Sequence, residues 1–259
     1  MEAMARGGMP PCRSPRPPAA MAAAAAAAVA VAVNYSYARL KLSLPPPSPS
    51  PFFAAISMAL PSPPLTVESS TGAEFPAWID SDGAKLELGG TGLRKKSILG
   101  LKSIVVYAFG IYANAAKLRE LKLKDDKKAI SLAELPCMDA EMSVRLVIVY
   151  GKLKMGTVRS AFEESIGGRI KKFSGAENKQ LLQSFTQLFK EDIKLPKGTA
   201  IDMVRLPGHV LSTRIDGQEV GSVKSELLCR CLFDLYIGDE PFDVAGKEAI
   251  AAGLSSMLS

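Results

Sequence analysis

Histidine is almost absent from this sequence, since His209 is the only one among 259 residues. A single histidine cannot build the histidine cluster of a zinc or copper centre, and it leaves no persuasive Ser-His or Cys-His pair for nucleophilic catalysis. It follows Pro207-Gly208, a turn signal, so we interpret it as a residue at the edge of a hairpin. The residue types therefore predict no metal centre and no catalytic dyad.

Cysteine is also scarce, and its placement does not indicate a metal site. Cys229 and Cys231 are separated by one residue within a helical pattern, which is not a spacing that zinc sites use. We expect both to be buried free thiols. The stretch LGGTG at 88–92 likewise lacks the glycine spacing of a Walker loop or a dinucleotide fingerprint. Because these motifs are missing, we expect no cofactor.

Acidic residues are missing between Glu2 and Glu68. Residues 1–67 hold five Arg or Lys, one acid and 13 of the 18 prolines. Acid-poor leaders that contain serine are typical of organelle transit peptides, and abundant Pro and Ser with sparse Arg favour a plastid over a mitochondrion. We predict a disordered plastid transit peptide at 1–67 and localisation to the chloroplast stroma. The alternative is a low-complexity tail that carries no address.

Two further classes of protein are disfavoured by what the chain lacks. The alanine-rich run at 19–33 has 15 residues, which is too short and too weakly apolar to span a bilayer, so we expect no stable membrane insertion. Beyond residue 67, 27 Arg or Lys face 25 acids, so this part of the chain is nearly neutral. A basic footprint for nucleic acid is therefore not supported.

Residues 73–259 read as one globular domain of about 185 residues, enough for a single hydrophobic core. The stretch KSIVVYAFGIYA at 102–113 is apolar on both faces, which predicts a strand covered on both sides, and the basic run at 94–96 is expected to precede it. Residues 142–150 show a similar pattern. Three short strands separated by Pro207-Gly208 and Asp216-Gly217 predict an antiparallel meander.

Helices are predicted from apolar residues at helical spacing near 157–166, 176–193, 223–238 and 244–258. The glycines in IGG at 166–168 are interpreted as a helix stop. Ser174 with Glu177 is interpreted as a capping box for the next helix. Grouped strands and grouped helices predict an α+β fold, with an antiparallel sheet and helices packed over one of its faces.

Arg94 and Tyr107 are the two residues with potential for binding chemistry. The simpler interpretation makes Arg94 a solvated cation of a basic run and Tyr107 a core tyrosine whose hydroxyl bonds to backbone or water. The alternative is that a guanidinium and a phenol converge on one anionic group with apolar walls behind them. Arginine suits that role because its planar fork can hold a carboxylate with two hydrogen bonds. Composition and pattern leave both interpretations open.

Several segments in order carry a family resemblance. GTGLRKKSILGLKSIVVYAFGIYAN at 90–114 is followed by FSGAENKQLLQSF, LPKG and DGQEVGSVKSELLCRCLFDLYIG. Together they resemble the chalcone isomerase superfamily, and most of all its plant plastid fatty-acid-binding branch, over residues 75–259. The resemblance implies an open-faced β-sandwich, in which a large antiparallel sheet carries a layer of helices and a ligand cleft lies between them.

The resemblance also implies a site. The arginine kept by both branches falls on Arg94, and Tyr107 stands where the isomerases have a threonine and the fatty-acid-binding branch has a tyrosine. The resemblance therefore implies that Arg94 and Tyr107 bind the carboxylate of a fatty acid.

The other polar positions of the isomerases are not matched. Their tyrosine and asparagine fall near Met155 or Gly156 and near Phe162 or Glu163, and their threonine or serine falls near Cys229. Since these donors would stabilise charge on the ketone, we expect no isomerase activity and assign no catalytic residue.

The implied function is binding of medium- to long-chain free fatty acids in the plastid stroma, in support of fatty acid metabolism or storage. The alkyl chain would occupy an apolar cleft, and we expect a monomer. Two alternatives remain: a residual chalcone-flavanone isomerase, which is an intramolecular lyase, and a non-catalytic helper of a plastid enzyme.

Overall fold

A seven-stranded antiparallel sheet organises the part of the chain that the structure, a computed structural model, describes: residues 62–98, 102–124 and 131–258. The predicted leader lies outside these ranges except for residues 62–67. Its plastid address therefore stays a prediction.

Over the described residues, the strands come in three groups along the chain, the groups are separated by helices, and two helices follow the last group. The strands are β1 (Leu65–Val67), β2 (Glu74–Pro76), β3 (Trp78–Ser81), β4 (Ala84–Ile98), β5 (Lys102–Ala113), β6 (Met142–Ile148), β7 (Ala200–Leu206), β8 (Val210–Ile215) and β9 (Gln218–Lys224). The helices are α1 (Ala115–Lys124), α2 (Met155–Ser174), α3 (Lys179–Thr186), α4 (Glu226–Ile237) and α5 (Val244–Leu258), with a short 3-10 turn at Leu135–Cys137.

The sheet has the simplest order, in which β3 to β9 follow one another in space as they do along the chain, each antiparallel to the next. β1 and β2 pair separately as a two-stranded ribbon. The predicted meander of β7, β8 and β9 is confirmed. Asp216 and Gly217, with φ of 47° and 80°, both adopt the left-handed conformation that suits a tight hairpin.

The two faces of the sheet have different cores. Phe109 and Ile111 of β5 pack with α2, α4 and α5 in the larger cluster, which also contains Cys229 and Cys231 as buried free thiols, as expected. Tyr112, on the opposite parity of β5, packs with the smaller cluster beneath β2 and β3. Helices therefore cover one face of an antiparallel sheet, and the predicted α+β class is confirmed.

The central helices differ from the sequence-based expectation. α2 passes through Gly167 and Gly168 and ends at Gly175, whose φ of 77° forms a left-handed cap, so the predicted stop at 166–168 is wrong. The stripe of Phe162, Ile166 and Ile170 buries one side of the helix, and this burial outweighs the cost of two glycines. Asn178, not Ser174, caps α3 by accepting a hydrogen bond from Leu181 N. None of the helices in the described ranges combines the length and apolar character needed to cross a bilayer.

Glycines bring α5 into backbone contact with β4. A Cβ added to Gly90 would lie 2.8 Å from the backbone nitrogen of Ile250, and one added to Gly246 would lie 2.8 Å from the Cα of Gly92. A Cβ on Gly253 would overlap the carbonyl oxygen of Gly89. The motif LGGTG therefore serves helix–strand packing, since only residues without side chains permit this approach.

This contact generates a stability prediction. Gly253→Ala should lower the free energy of unfolding by about 1–3 kcal/mol, because the methyl group would force α5 away from β4. Gly168→Ala is the matched control, because this helical glycine has open space around it. It should raise stability by about 0.5–1 kcal/mol through higher helix propensity. Urea denaturation of both variants provides the measurement, and equal effects would refute the packing argument.

Candidate ligand-binding site

Arg94 and Tyr107 lie directly opposite each other on neighbouring strands. Arg94 is part of β4, and its partner across the β4–β5 ladder is Tyr107. The basic run precedes β5, as expected, but it is part of the preceding strand β4 and not of a connection between elements. The two strands form a long hairpin whose outer end leaves the core, so Lys95 and Lys96 stay exposed while their backbone remains in the ladder.

A bulge follows this pair immediately. Arg94 pairs with Tyr107 but Lys95 pairs with Val105, so Val106 has no partner of its own on β4. Bulges redirect side chains next to binding sites. As a result, the consecutive residues Val106 and Tyr107 both line the same cavity.

That cavity has a volume of about 510 Å³ and lies between the β4–β5 hairpin, α2 and the segment after α4. Its volume falls within the roughly 300–1,000 Å³ that small-molecule sites occupy. The wall is largely apolar, with contributions from Ile104, Val106, Leu153, Val158, Ala161 and Phe162. Arg94 and Tyr107 both belong to its lining, so the structure brings together the two residues that the sequence singled out.

Arg94 has an aromatic neighbour but no protein anion. Its guanidinium carbon lies 3.7 Å from the ring centroid of Phe242, a close cation–π contact. Among the described residues, no carboxylate lies within ion-pair distance of it. Lys96 and Glu164 also line the cavity, and both side chains are exposed at its rim. Inside the cavity, Arg94 is therefore the cation that is available to an anionic ligand.

Phe242 is held over Arg94 by the segment that joins α4 to α5. The Asp243 carboxylate accepts a hydrogen bond from Leu93 N at 2.8 Å, which ties the segment to β4 one residue before Arg94. The backbone nitrogen of Phe242 donates to Leu235 O at 2.8 Å. Arg169 adds a hydrogen bond to Glu240 O at 2.7 Å. These bonds hold the chain before and after Phe242 and so fix the position of its ring.

Tyr107 contacts a second phenol, that of Tyr236 on α4. The two hydroxyl oxygens lie 3.4 Å apart. The Tyr236 ring packs against Phe109 at 4.7 Å and against Phe242 at 5.6 Å between centroids. Burial raises the pKa of Tyr107 to about 12, although the hydrogen bond with Tyr236 and the charge of Arg94 oppose this rise. Burial likewise raises the pKa of Tyr236 well above its ordinary value. Both phenols therefore keep their protons at neutral pH.

The positions that correspond to isomerase donors offer little polar chemistry here. Met155 and Phe162 are buried in the core, and Phe162 forms part of the apolar cavity wall. Glu163 is exposed and does not line the cavity. The Cys229 thiol faces the backbone oxygen of His209 at 3.6 Å, and burial raises the pKa of this thiol to about 12.

Sequence reasoning missed Tyr236 and Phe242 as site residues. Tyr236 is part of an apolar helix in which nine of twelve residues are buried, so its hydroxyl gave no signal of its own. Phe242 lies in GDEPFDV, a segment between two helices that resembles an ordinary connection. Only the folded structure reveals their place in the site, because both residues lie more than 100 positions after Arg94 in the sequence.

Comparison with known proteins agrees with this architecture. The family described as Chalcone isomerase-like matches residues 67–250. Over 202 residues the chain is 50% identical to fatty-acid-binding protein 1 of Arabidopsis thaliana, covering 74% of this chain and 71% of that protein. Over 200 residues it is 38% identical to chalcone isomerase-like protein 1 of Humulus lupulus, covering 74% and 91% respectively. The crystal structure of an Arabidopsis thaliana fatty-acid-binding protein superposes with a TM-score of 0.69 at 48% identity, over 75% of this chain and 99% of that one.

The two buried phenols generate a prediction for alkaline pH. The unfolded chain releases each proton near pH 10, whereas folded Tyr107 keeps its proton up to about 12. The contribution to stability is thus complete below pH 10 and is lost as the pH rises towards 12. Urea unfolding at several pH values should show a shallower alkaline decline in Tyr107→Phe/Tyr236→Phe than in the parent. The difference should be at most about 1.4 kcal/mol per pH unit for each phenol. Parallel declines would contradict the burial of these hydroxyls.

Proposed function

The chain belongs to the chalcone isomerase-like family, and on that premise we propose that it binds free fatty acids. The carboxylate would lie on Arg94 and Tyr107, and the alkyl chain would follow the apolar wall of the cavity. The observation that carries this proposal is that one apolar cavity is lined by a protonated phenol and by a guanidinium that pairs with no carboxylate of the described residues. The ligand class is supported by the name of the Arabidopsis thaliana relative, fatty-acid-binding protein 1, whose crystal structure is the one compared above.

The charge balance of the cavity favours a fatty acid over a neutral lipid. Arg94 is half-buried and has no carboxylate partner among the described residues, so an incoming carboxylate would supply a charge-assisted partner for its donors. The Tyr107 hydroxyl adds a neutral donor that stays protonated when the ligand is ionised. A fatty alcohol would bury the same chain but leave Arg94 without an anion.

The expected affinity is near micromolar. Each buried methylene contributes about 0.8 kcal/mol, so a chain of about a dozen carbons contributes roughly 8–9 kcal/mol. Hydrogen bonds to charged groups add about 1.5–3 kcal/mol each. Association and ordering remove several kcal/mol, which leaves about 8 kcal/mol, or a Kd near 1 μM. Such an affinity suits a protein that stores or delivers its ligand and must also release it.

We infer that the protein holds its ligand and does not convert it. Phe162 and Cys229 stand at or near positions where isomerases use polar donors, and neither can polarise a ketone here. The leader predicted at 1–67 would deliver this binding protein to the chloroplast stroma. Microscopy of plant cells that express a fluorescent fusion of residues 1–67 would test that address.

The site assignment is tested by laurate titration. Arg94→Gln should weaken laurate binding by at least about tenfold, because it removes the charge-assisted contact. Tyr107→Phe should weaken it by about threefold to tenfold through the loss of one neutral donor. Both should leave dodecanol binding nearly unchanged, since the apolar wall is intact. Isothermal titration calorimetry of each variant with each ligand provides the measurement.

The matched control for this series is Lys95→Gln. Lys95 neighbours Arg94 in sequence and is exposed, but its side chain does not line the cavity. Its replacement changes the net charge by the same amount as Arg94→Gln and should leave the laurate affinity of the parent. If Lys95→Gln and Arg94→Gln had the same effect, general electrostatics and not the cavity would explain the binding.

An isomerase assay tests the non-catalytic assignment. When naringenin chalcone is added, its visible absorbance should decay at the spontaneous rate, with or without the protein. Acceleration that Arg94→Gln abolishes would support a residual isomerase instead. Acceleration that Arg94→Gln retains would point to a reaction elsewhere on the molecule and would equally contradict the assignment.

A further inference from the structure

Tyr236 is enclosed and has one hydrogen-bond partner in the described part of the chain. Its side chain is 0% exposed on α4, between the rings of Phe109 and Phe242. Its hydroxyl meets that of Tyr107 at 3.4 Å. A buried phenol normally bonds to a partner, so this contact decides where the Tyr236 proton points.

The two phenols have two protons but can share only one between them. If Tyr107 donated to Tyr236, the Tyr236 proton would have no acceptor among the described residues, which costs about 1–3 kcal/mol in a buried place. Tyr107 would also present lone pairs to an arriving carboxylate. If Tyr236 donates, its proton is used and the Tyr107 proton is free to point into the cavity, beside Arg94. The second arrangement alone satisfies both hydroxyls and an anionic ligand.

The length of the contact indicates how it responds to a ligand. At 3.4 Å it is longer than the usual O–H···O distance of about 2.7–2.8 Å. When Tyr107 donates to a carboxylate, its oxygen becomes a better acceptor, because hydrogen bonds in a chain polarise one another. Binding of the anion should therefore tighten the bond from Tyr236 to Tyr107.

We propose that Tyr236 is a positioning residue for the carboxylate site, donating its hydroxyl proton to Tyr107 so that Tyr107 donates to the ligand. The inference rests on the proposed fatty-acid binding and deepens it. It adds a residue that never touches the ligand yet contributes to the preference for acids over alcohols. That preference distinguishes it from a merely structural residue, since loss of packing would weaken acids and alcohols alike.

The test is a double-mutant cycle with two ligands of equal chain length. Tyr236→Phe keeps the ring and removes one oxygen, and it should weaken laurate binding by about threefold to tenfold while dodecanol changes by less than about twofold. In the Tyr107→Phe background, the same change should have no further effect on laurate. Calorimetric titration and thermal unfolding of all four proteins provide the data.

Tyr112→Phe is the matched control. Tyr112 is also 0% exposed, but it lies on the other face of β5, and its hydroxyl has no hydrogen-bond partner among the described residues. Its replacement should leave both affinities unchanged. Equal losses for laurate and dodecanol in Tyr236→Phe, or an undiminished loss in the Tyr107→Phe background, would overturn the positioning role. If Arg94→Gln and Tyr107→Phe weaken laurate but Tyr236→Phe does not, the inference fails and the proposed function stands. If the parent does not bind laurate, both fail.

Discussion

The backbone contact between β4 and α5 is the constraint on which the candidate site depends. Glycines on both elements let the helix lie against the strand at a distance that any side chain would prevent. Because α5 begins at Val244, its position also determines where the preceding segment crosses the sheet. That segment carries Phe242 and is tied to β4 through Asp243 and Leu93. A packing requirement in the core thus places an aromatic ring over Arg94.

The fold and the site could be predicted from the sequence to different extents. Continuous apolar runs were sufficient to predict β5 and β6, turn residues to predict the meander, and helical spacing to predict the buried stripe of α2, because burial and tight turns each require particular residue types. The continuation of β4 through Arg94 was not predicted, because an exposed hairpin end has no apolar alternation although its backbone is paired. The helix stop predicted from Gly167 and Gly168 was wrong, because a helix tolerates glycines when the packing of its other residues compensates for their cost.

The site itself required a different kind of information. Pattern alone left the roles of Arg94 and Tyr107 open, and only the family resemblance linked the two residues. That link is consistent with their direct opposition across two strands, which depends on register and therefore on the turn between them. Tyr236 and Phe242 could not be found from the sequence, because each belongs to a segment whose local pattern is fully explained by core packing.

The partly or fully buried arginines are held in two ways, either by oxygen acceptors or by the face of an aromatic ring. Arg205 is 0% exposed, yet its guanidinium donates to the backbone oxygens of Ala140, Pro136 and Leu135 at 2.8–3.1 Å. Arg145 pairs with Asp202 at 2.7 Å, and Arg169 pairs with Asp234 at 2.7 Å.

The chain thus supplies acceptors to each of these three guanidinium groups. Among the described residues, Arg94 lies over the face of Phe242 and Arg230 lies over Phe173 at 4.0 Å, and such a contact stabilises a cation without using its N–H donors. A guanidinium that is oriented by stacking and keeps its donors free can bind an anion without first breaking an ion pair. Arg94 differs from Arg230 because it lines the apolar cavity, where its free donors suit the carboxylate of the proposed ligand.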